Sequence, residues 1–256
     1  MNSIRSKSGL LRAAIIPAAA LMLLPALAGA QDLPSAASLL ERHITASGGR
    51  AALERSSEGV TTGTLSMPAA GLTGTMTTTS APNRIHVDIE LPGLGNITSG
   101  YDGTTAWSNN PMQGARVLEG EERQAVVEGT RPGAMFRDST VVKSMTTTGQ
   151  DTISNVACWN VEVAWISGRT TQDCYSVETG LLHASTATQE SPMGSATVTT
   201  VVSDYKDVDG LKLPTTITQQ LGGQVMMTLT DLNVKFGDVP ADAFALPAEV
   251  KALVGG

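Results

Sequence analysis

The sequence predicts a mainly β (α+β) fold that is built on one large, curved antiparallel sheet. Around ten segments alternate apolar and polar residues, which is the pattern of half-buried strands. Turn signals such as Asp102-Gly103 and Asp209-Gly210 separate them, and only two or three short stretches have a helical pattern. Helices that interrupt such a sheet most simply cover its concave apolar face.

The clearest strand is predicted over residues 84–91. Its odd-numbered positions from Ile85 to Leu91 are apolar and its even-numbered positions from Arg84 to Glu90 are polar. Successive side chains of a strand point to opposite faces, so one face of this strand is apolar. A further strand at about 97–101 leads into the Asp102-Gly103 turn, which is followed by a strand through Trp107.

The helical stretches are short. Ser35 can cap a helix that ends at Gly48-Gly49, and residues 50–55 give a second helical piece. Residues 119–129 predict a third helix that ends near Arg131-Pro132, and a mobile stretch is expected from there to about residue 140.

The last predicted strand, residues 224–236, changes phase in its middle. Its apolar positions are first odd and then even: Val225, Met227 and Leu229, followed by Leu232, Val234 and Phe236. A one-residue slip of this kind predicts a β-bulge. After it, residues 243–253 form a short apolar tail that is expected to pack on the sheet edge.

Residues 1–30 predict a cleaved secretory signal peptide. A basic head is followed by an apolar stretch over residues 13–28 and by the small residues Ala28-Gly29-Ala30. An uncleaved N-terminal anchor is the alternative. We expect residues 31–256 to form a single exported domain in the periplasm, and cleavage would change the net charge from −7 to −10 because only basic residues leave.

The two cysteines, Cys158 and Cys174, flank a predicted turn at residues 166–169 and could face each other across a hairpin. In an oxidising compartment a disulfide is the favoured interpretation. Two free thiols and a redox-active pair remain as alternatives, although the spacing is not C-x-x-C.

Composition and motifs give little support for catalysis. His43, His86 and His183 are scattered, and the sequence contains no nucleophile elbow, phosphate-binding loop or zinc motif. The acidic run that ends in Asp209-Gly210 lacks two carboxylates of a calcium loop, so it is interpreted as a hairpin turn. The acidic net charge argues against a nucleic-acid partner. We therefore expect no enzyme activity, no metal and no cofactor.

Apolar strand positions are the remaining candidates for function. A curved sheet can enclose a cavity for an apolar ligand, although for any single residue the alternative is ordinary core. The predicted ligand-binding positions, chosen by strand phase, are Met76, Ile85, Val87, Ile89, Leu91, Trp107, Trp159, Val161, Val163, Trp165, Met227 and Leu229.

Several segments resemble the outer-membrane lipoprotein carrier superfamily, the LolA-like or lipoprotein-sorting proteins. They are APNRIHV from Ala81, YDGTTAW from Tyr101 with Pro111 after it, SDYKDVDGLKLPTTI from Ser203, and FALP from Phe244, and the similarity covers about residues 35–250. The resemblance implies an incomplete β-barrel whose helices cover an apolar hollow that holds acyl chains. Carriers of this kind have an arginine before the proline of the first segment, where this chain has Ala81.

The resemblance implies a monomeric, non-enzymatic carrier of lipid or lipoprotein acyl chains. Such a carrier receives cargo from an inner-membrane extractor and passes it to an outer-membrane acceptor. The alternative is a periplasmic sensor or interaction module on the same scaffold, which binds a membrane-anchored protein partner.

Overall fold

The computed structural model describes residues 33–191 and 194–255, and the predicted signal peptide lies outside the described residues. The helices are α1 (Ala36–Ala46), α2 (Arg50–Arg55), α3 (Gly120–Thr130), α4 (Pro132–Phe136) and α5 (Ala248–Val254), with 3-10 turns at Pro68–Ala70 and Ala241–Phe244. The strands are β1 (Gly59–Met67), β2 (Leu72–Ala81), β3 (Arg84–Leu91), β4 (Gly95–Tyr101), β5 (Ala106–Asn110), β6 (Gly114–Val117), β7 (Val142–Ile153), β8 (Val156–Trp165), β9 (Thr170–Ser176), β10 (Leu182–Ser191), β11 (Gly194–Val208), β12 (Leu211–Leu221) and β13 (Gln224–Phe236). None of these helices combines the length and the apolar character that crossing a bilayer requires.

In the part of the chain that the structure describes, thirteen strands form one antiparallel sheet, which does not close into a barrel. Their order is β6-β5-β4-β3-β2-β1-β13-β12-β11-β10-β9-β8-β7, so β6 and β7 are the two edge strands. These edges are consecutive in the chain and are joined by the segment that contains α3 and α4. The prediction of a mainly β fold with an incomplete barrel is confirmed, and the short β6 is a strand that the sequence pattern did not predict.

The helices α1–α4 pack on one face of the sheet, which we call the inner face. Ala36 and Leu39 of α1 contact Val161 and Val163 of β8, and Leu40 and Ile44 with α2 pack against Leu211 of β12. On the other half of the sheet, Val126 and Val127 of α3 pack against Ile85 and Tyr101. Strand pairing carries this face continuously from β8 to β3, because directly paired residues share a face.

The predicted bulge lies in β13. Thr62 of β1 pairs with Asn233 and Thr64 pairs with Thr230, so one residue of β1 opposes two residues of β13. Asp231 takes a left-handed backbone conformation with φ 54° at this point. As a result Leu229 and Leu232 pack in the same inner-face cluster although their phases differ.

The boundaries of α1 follow the predicted signals. The Ser35 side chain accepts a hydrogen bond from the Ser38 backbone N–H at 3.1 Å, and the helix ends before Gly48, which has φ 116°. The stretch after α3 differs from the prediction. It folds into α4 because Pro132 supplies a preorganised first helical position.

The C-terminal tail packs at the edge of the sheet, as predicted. Helix α5 lies against the edge strand β6, and Val250 is fully buried. Phe244 is also buried, and the Arg84 guanidinium lies over its ring at 4.6 Å.

A disulfide joins Cys158 and Cys174, whose Cα atoms are 5.4 Å apart. The two residues are diagonal neighbours across the β8–β9 hairpin, since Cys158 pairs with Ser176 and Cys174 pairs with Asn160. The bridge is fully buried on the outer face against Ala184. The predicted bridge is therefore present in the folded chain.

Candidate functional site

A cavity of about 680 Å³ lies between the inner face of the sheet and the helices α2, α3 and α4. Its apolar lining includes Leu53, Ile85, Met135, Phe136 and Trp165. The volume falls within the range of roughly 300–1,000 Å³ that is typical of small-molecule pockets.

One lip of this cavity is formed where the β2–β3 turn meets the α3–α4 junction. The Asn83 backbone N–H donates to the Thr130 carbonyl at 2.9 Å, and Ala81 and Pro82 line the cavity beside this bond. Ala81 is buried, and it is the position where the resembling carriers have an arginine. A backbone hydrogen bond thus connects the sheet to the helical cover at this lip.

A buried ion pair lies beside the cavity, and its arginine, Arg137, lines the cavity. Arg137 follows α4 and donates from Nε and Nη2 to Asp173 Oδ2 of β9 at 3.0 and 2.9 Å. Asp173 is fully buried, and its Oδ1 accepts from Ser185 Oγ at 2.7 Å. Burial and the Asp173 charge both raise the pKa of the neighbouring Tyr175 hydroxyl, with burial the larger cause.

Trp165 lies between this pair and a second cation. The guanidinium carbons of Arg137 and Arg169 are 5.0 and 4.7 Å from its ring centroid. Its indole N–H donates to Thr171 Oγ1 at 3.1 Å, so the ring is fixed by a hydrogen bond and by two cation–π contacts. This fixed orientation presents part of an apolar wall to the cavity.

His43 of α1 is a neutral imidazole beside the ion pair. Its Nδ1 accepts the Leu182 backbone N–H at 3.1 Å, which requires that Nδ1 carry no proton. Burial and the nearby Arg137 charge, with burial the larger cause, lower the pKa of His43 to about 4, although Asp173 opposes this shift. The Tyr175 ring centroid lies 5.5 Å from that of the imidazole.

Glu128 joins α3 to the β8–β9 turn. One carboxylate oxygen accepts the Ser167 backbone N–H at 3.1 Å, and the other accepts from Nε and Nη2 of Arg169 at 3.3 Å. Glu128 is buried, whereas the Arg169 side chain is 29% exposed. This contact holds α3 against the β8–β9 turn, whose residues follow Glu128 by 39 and 41 positions in the chain.

Replacing Glu128 with Gln should loosen α3 selectively. The ion pair is lost while the hydrogen bond from Ser167 can remain. We therefore expect the free energy of unfolding to fall by about 1–2 kcal/mol, a value that the exposure of Arg169 keeps small. Amide hydrogen exchange in α3 should accelerate more than exchange in β8–β10. The exposed Glu121→Gln in the same helix is the matched control, and equal exchange in both variants would contradict the role of Glu128.

Two of the twelve predicted ligand-binding residues, Ile85 and Trp165, line the cavity. Val161 and Val163 are fully buried beneath α1, with Trp159 packed beside them, while Leu91 and Leu229 belong to a separate inner-face cluster with Met76, Ile89 and Met227. Val87 is half-buried on the inner face.

Trp107 lies apart from this set. It pairs with Gly100, which pairs with His86, so its ring lies on the outer face. It is buried there, and its ring meets the His86 imidazole edge-on at 5.5 Å. The prediction grouped Trp107 with Ile85, but the register across β4 separates them.

A second, more polar cavity of about 570 Å³ lies on the other side of Arg169. The first half of α3 and the β8–β9 turn line it, with side chains that include Glu121, Gln124, Thr188 and Gln189. In the described part of the chain, no three His, Cys, Asp or Glu residues come together in a way that could hold a metal ion.

Comparisons with known proteins identify the fold. No family model matches the sequence, and no curated protein does. Among solved structures, a LolA superfamily protein from Nitrosomonas europaea superposes with a TM-score of 0.54 at 16% identity, covering 84% of this chain and 99% of that chain. The chain has a LolA-like fold.

Two other solved structures give weaker superpositions on this LolA-like fold. A DUF1329 family protein from Desulfovibrio piger has a TM-score of 0.49 at 11% identity, covering 81% of this chain and 95% of that chain. A domain described as that of an outer membrane lipoprotein-sorting protein from Vibrio parahaemolyticus has a TM-score of 0.48 at 10% identity. The superposition covers 79% of this chain and 96% of that chain.

Proposed function

We propose that the mature chain is an exported, non-enzymatic carrier that binds the acyl chain of a lipid or lipopeptide. The observation that carries the proposal is the 680 Å³ cavity between the sheet and the helices α2–α4. Each buried methylene contributes about 0.8 kcal/mol, so an acyl chain needs no catalytic group to bind there. The LolA-like fold and the disulfide support function in the oxidising periplasm.

The ligand class that we propose is broader than that of a dedicated lipoprotein shuttle. Ala81 stands at the cavity lip where the resembling carriers have an arginine that helps govern lipid hand-off. The carrier is proposed to act as a monomer, with an inner-membrane extractor and an outer-membrane acceptor as its partners.

Filling the cavity should weaken ligand binding. Ser80 lies on the inner face, is half-buried and lines the cavity. A Ser80→Trp side chain would occupy the space of several methylenes, so we expect affinity for a fluorescent fatty acid to fall at least about tenfold. Native mass spectrometry and lipid extraction of the exported protein should also show bound lipid in the wild type.

Ser144→Trp is the matched control, because Ser144 is exposed and lies on the outer face of β7. It should bind the fatty acid as the wild type does. Equal binding by the Ser80→Trp variant, or a wild type that never holds an acyl chain, would contradict the carrier function. One stable protein partner after crosslinking in cells, without lipid, would support the sensor alternative instead.

A further inference from the structure

Arginines are concentrated around the cavity of this acidic protein. Four of the nine arginines in residues 33–255 line it, while the chain as a whole has a net charge of −7. They are Arg84, Arg131, Arg137 and Arg169. A purely apolar ligand gives no reason for such a distribution, because each arginine at a cavity wall loses part of its hydration.

Two of these arginines are neutralised within the protein. Arg137 pairs with Asp173, and Arg169 pairs with Glu128. Within the described residues, Arg84 and Arg131 have no carboxylate within 4.0 Å. Glu54 is the acidic residue that lines this cavity, and it forms no ion pair with either of them. The uncompensated positive charge is therefore that of Arg84 and Arg131.

The fold brings these two residues to the same lip. The hydrogen bond from the Asn83 N–H to the Thr130 carbonyl joins the residues that immediately precede Arg84 and Arg131. The Arg84 guanidinium carbon lies 4.6 Å from the centroid of the Phe244 ring, so a cation–π contact holds this side chain, and Arg84 lines the cavity. Arg131 is exposed at the start of α4.

We propose that Arg84 and Arg131 form a headgroup site for an anionic amphiphile. The phosphate or carboxylate of the head binds at the lip, and the acyl chain extends under the helices towards Phe136 and Trp165. Arginine suits this position because its planar fork of N–H donors matches the oxygens of phosphate and carboxylate groups. The inference rests on the proposed carrier function and specifies the class of lipid.

Binding of two lipids with the same acyl chain tests the proposal. Lysophosphatidylglycerol carries a phosphate, whereas monoacylglycerol carries no charge. Calorimetry at low ionic strength should show that the wild type binds the phospholipid at least about tenfold more tightly, because charge-assisted hydrogen bonds form only with the phosphate. The double variant Arg84→Gln/Arg131→Gln should lower this ratio to near one.

Arg55→Gln is the matched control, since Arg55 is exposed on α2 and does not line the cavity. It should retain the preference for the phospholipid. Equal affinity of the wild type for both lipids, or a preference that survives in the double variant, would overturn the headgroup site.

Inorganic phosphate separates this proposal from the carrier function. If the wild type binds neither lipid but binds phosphate, and the double variant does not, then the anion site is supported and the carrier function fails. If neither lipid nor phosphate binds, both proposals fail. Binding of both lipids with equal affinity leaves the carrier function in place and overturns the headgroup site alone.

Discussion

Replacing Asp173 with Asn should lower the free energy of unfolding by about 3–5 kcal/mol. The substitution keeps the shape of the side chain but leaves the Arg137 guanidinium without its counter-charge in a largely buried position. Asp173 is fully buried, and two hydrogen bonds from Arg137 end on one of its oxygens. Urea unfolding followed by circular dichroism measures the loss.

The exposed pair of Arg50 and Glu41 provides the control. Both side chains are at least half exposed, so Glu41→Gln should cost less than about 1 kcal/mol. A double variant, Arg137→Met/Asp173→Leu, should recover much of the stability because no charge is then left buried alone. If Asp173→Asn were as stable as the wild type, the ion pair would have no structural role.

The stability of the protein should fall between about pH 6.5 and pH 4 because of His43. In the folded state the pKa of His43 is about 4, whereas an unfolded histidine has a pKa of about 6.5. Above pH 6.5 the imidazole is neutral in both the folded and the unfolded state, so its full contribution to the free energy of unfolding is present. As the pH falls, the unfolded state takes up the proton first, so the free energy of unfolding decreases by about 3 kcal/mol by pH 4.

Substitution of His43 isolates this effect from the carboxylates that titrate in the same range. In His43→Asn the amide oxygen can accept the Leu182 N–H, but the side chain cannot take up a proton. The difference in unfolding free energy between wild type and variant should therefore shrink towards pH 4. Parallel profiles for wild type and His43→Asn would contradict the assignment.

Local signals in the sequence predicted most of the architecture. Alternation identified the strands, Ser35 and Gly48 marked the ends of α1, and the phase change before Leu232 predicted the bulge in β13. These features depend on residues that are close in the chain, where periodicity and turn chemistry act directly. The short β6 has too few residues for a period to be recognised.

The candidate site was less predictable because it depends on long-range register. Strand phase alone does not tell which face points inward, so Trp107 was grouped with Ile85 although it lies on the outer face. The pair of Arg137 and Asp173 joins residues 36 positions apart. The sequence of β9 did contain a signal for a buried charge, because Asp173 lies on the same face as Tyr175 and pairs with the apolar Val161.

Because of the strand order, most of the entropy cost of closing loops in this sheet falls on one strand pairing. Among the described residues, eleven of the twelve strand pairings join strands that are neighbours in the chain, and only the pairing of β1 with β13 brings together distant segments, such as Gly59 and Phe236. Closing so large a loop is slow compared with forming local hairpins. The sheet thus consists of two consecutive meanders, β1–β6 and β7–β13, which are joined by the pairing of β1 with β13. During synthesis from the N-terminus, the edge of β1 stays unpaired until the last strand, β13, has been made.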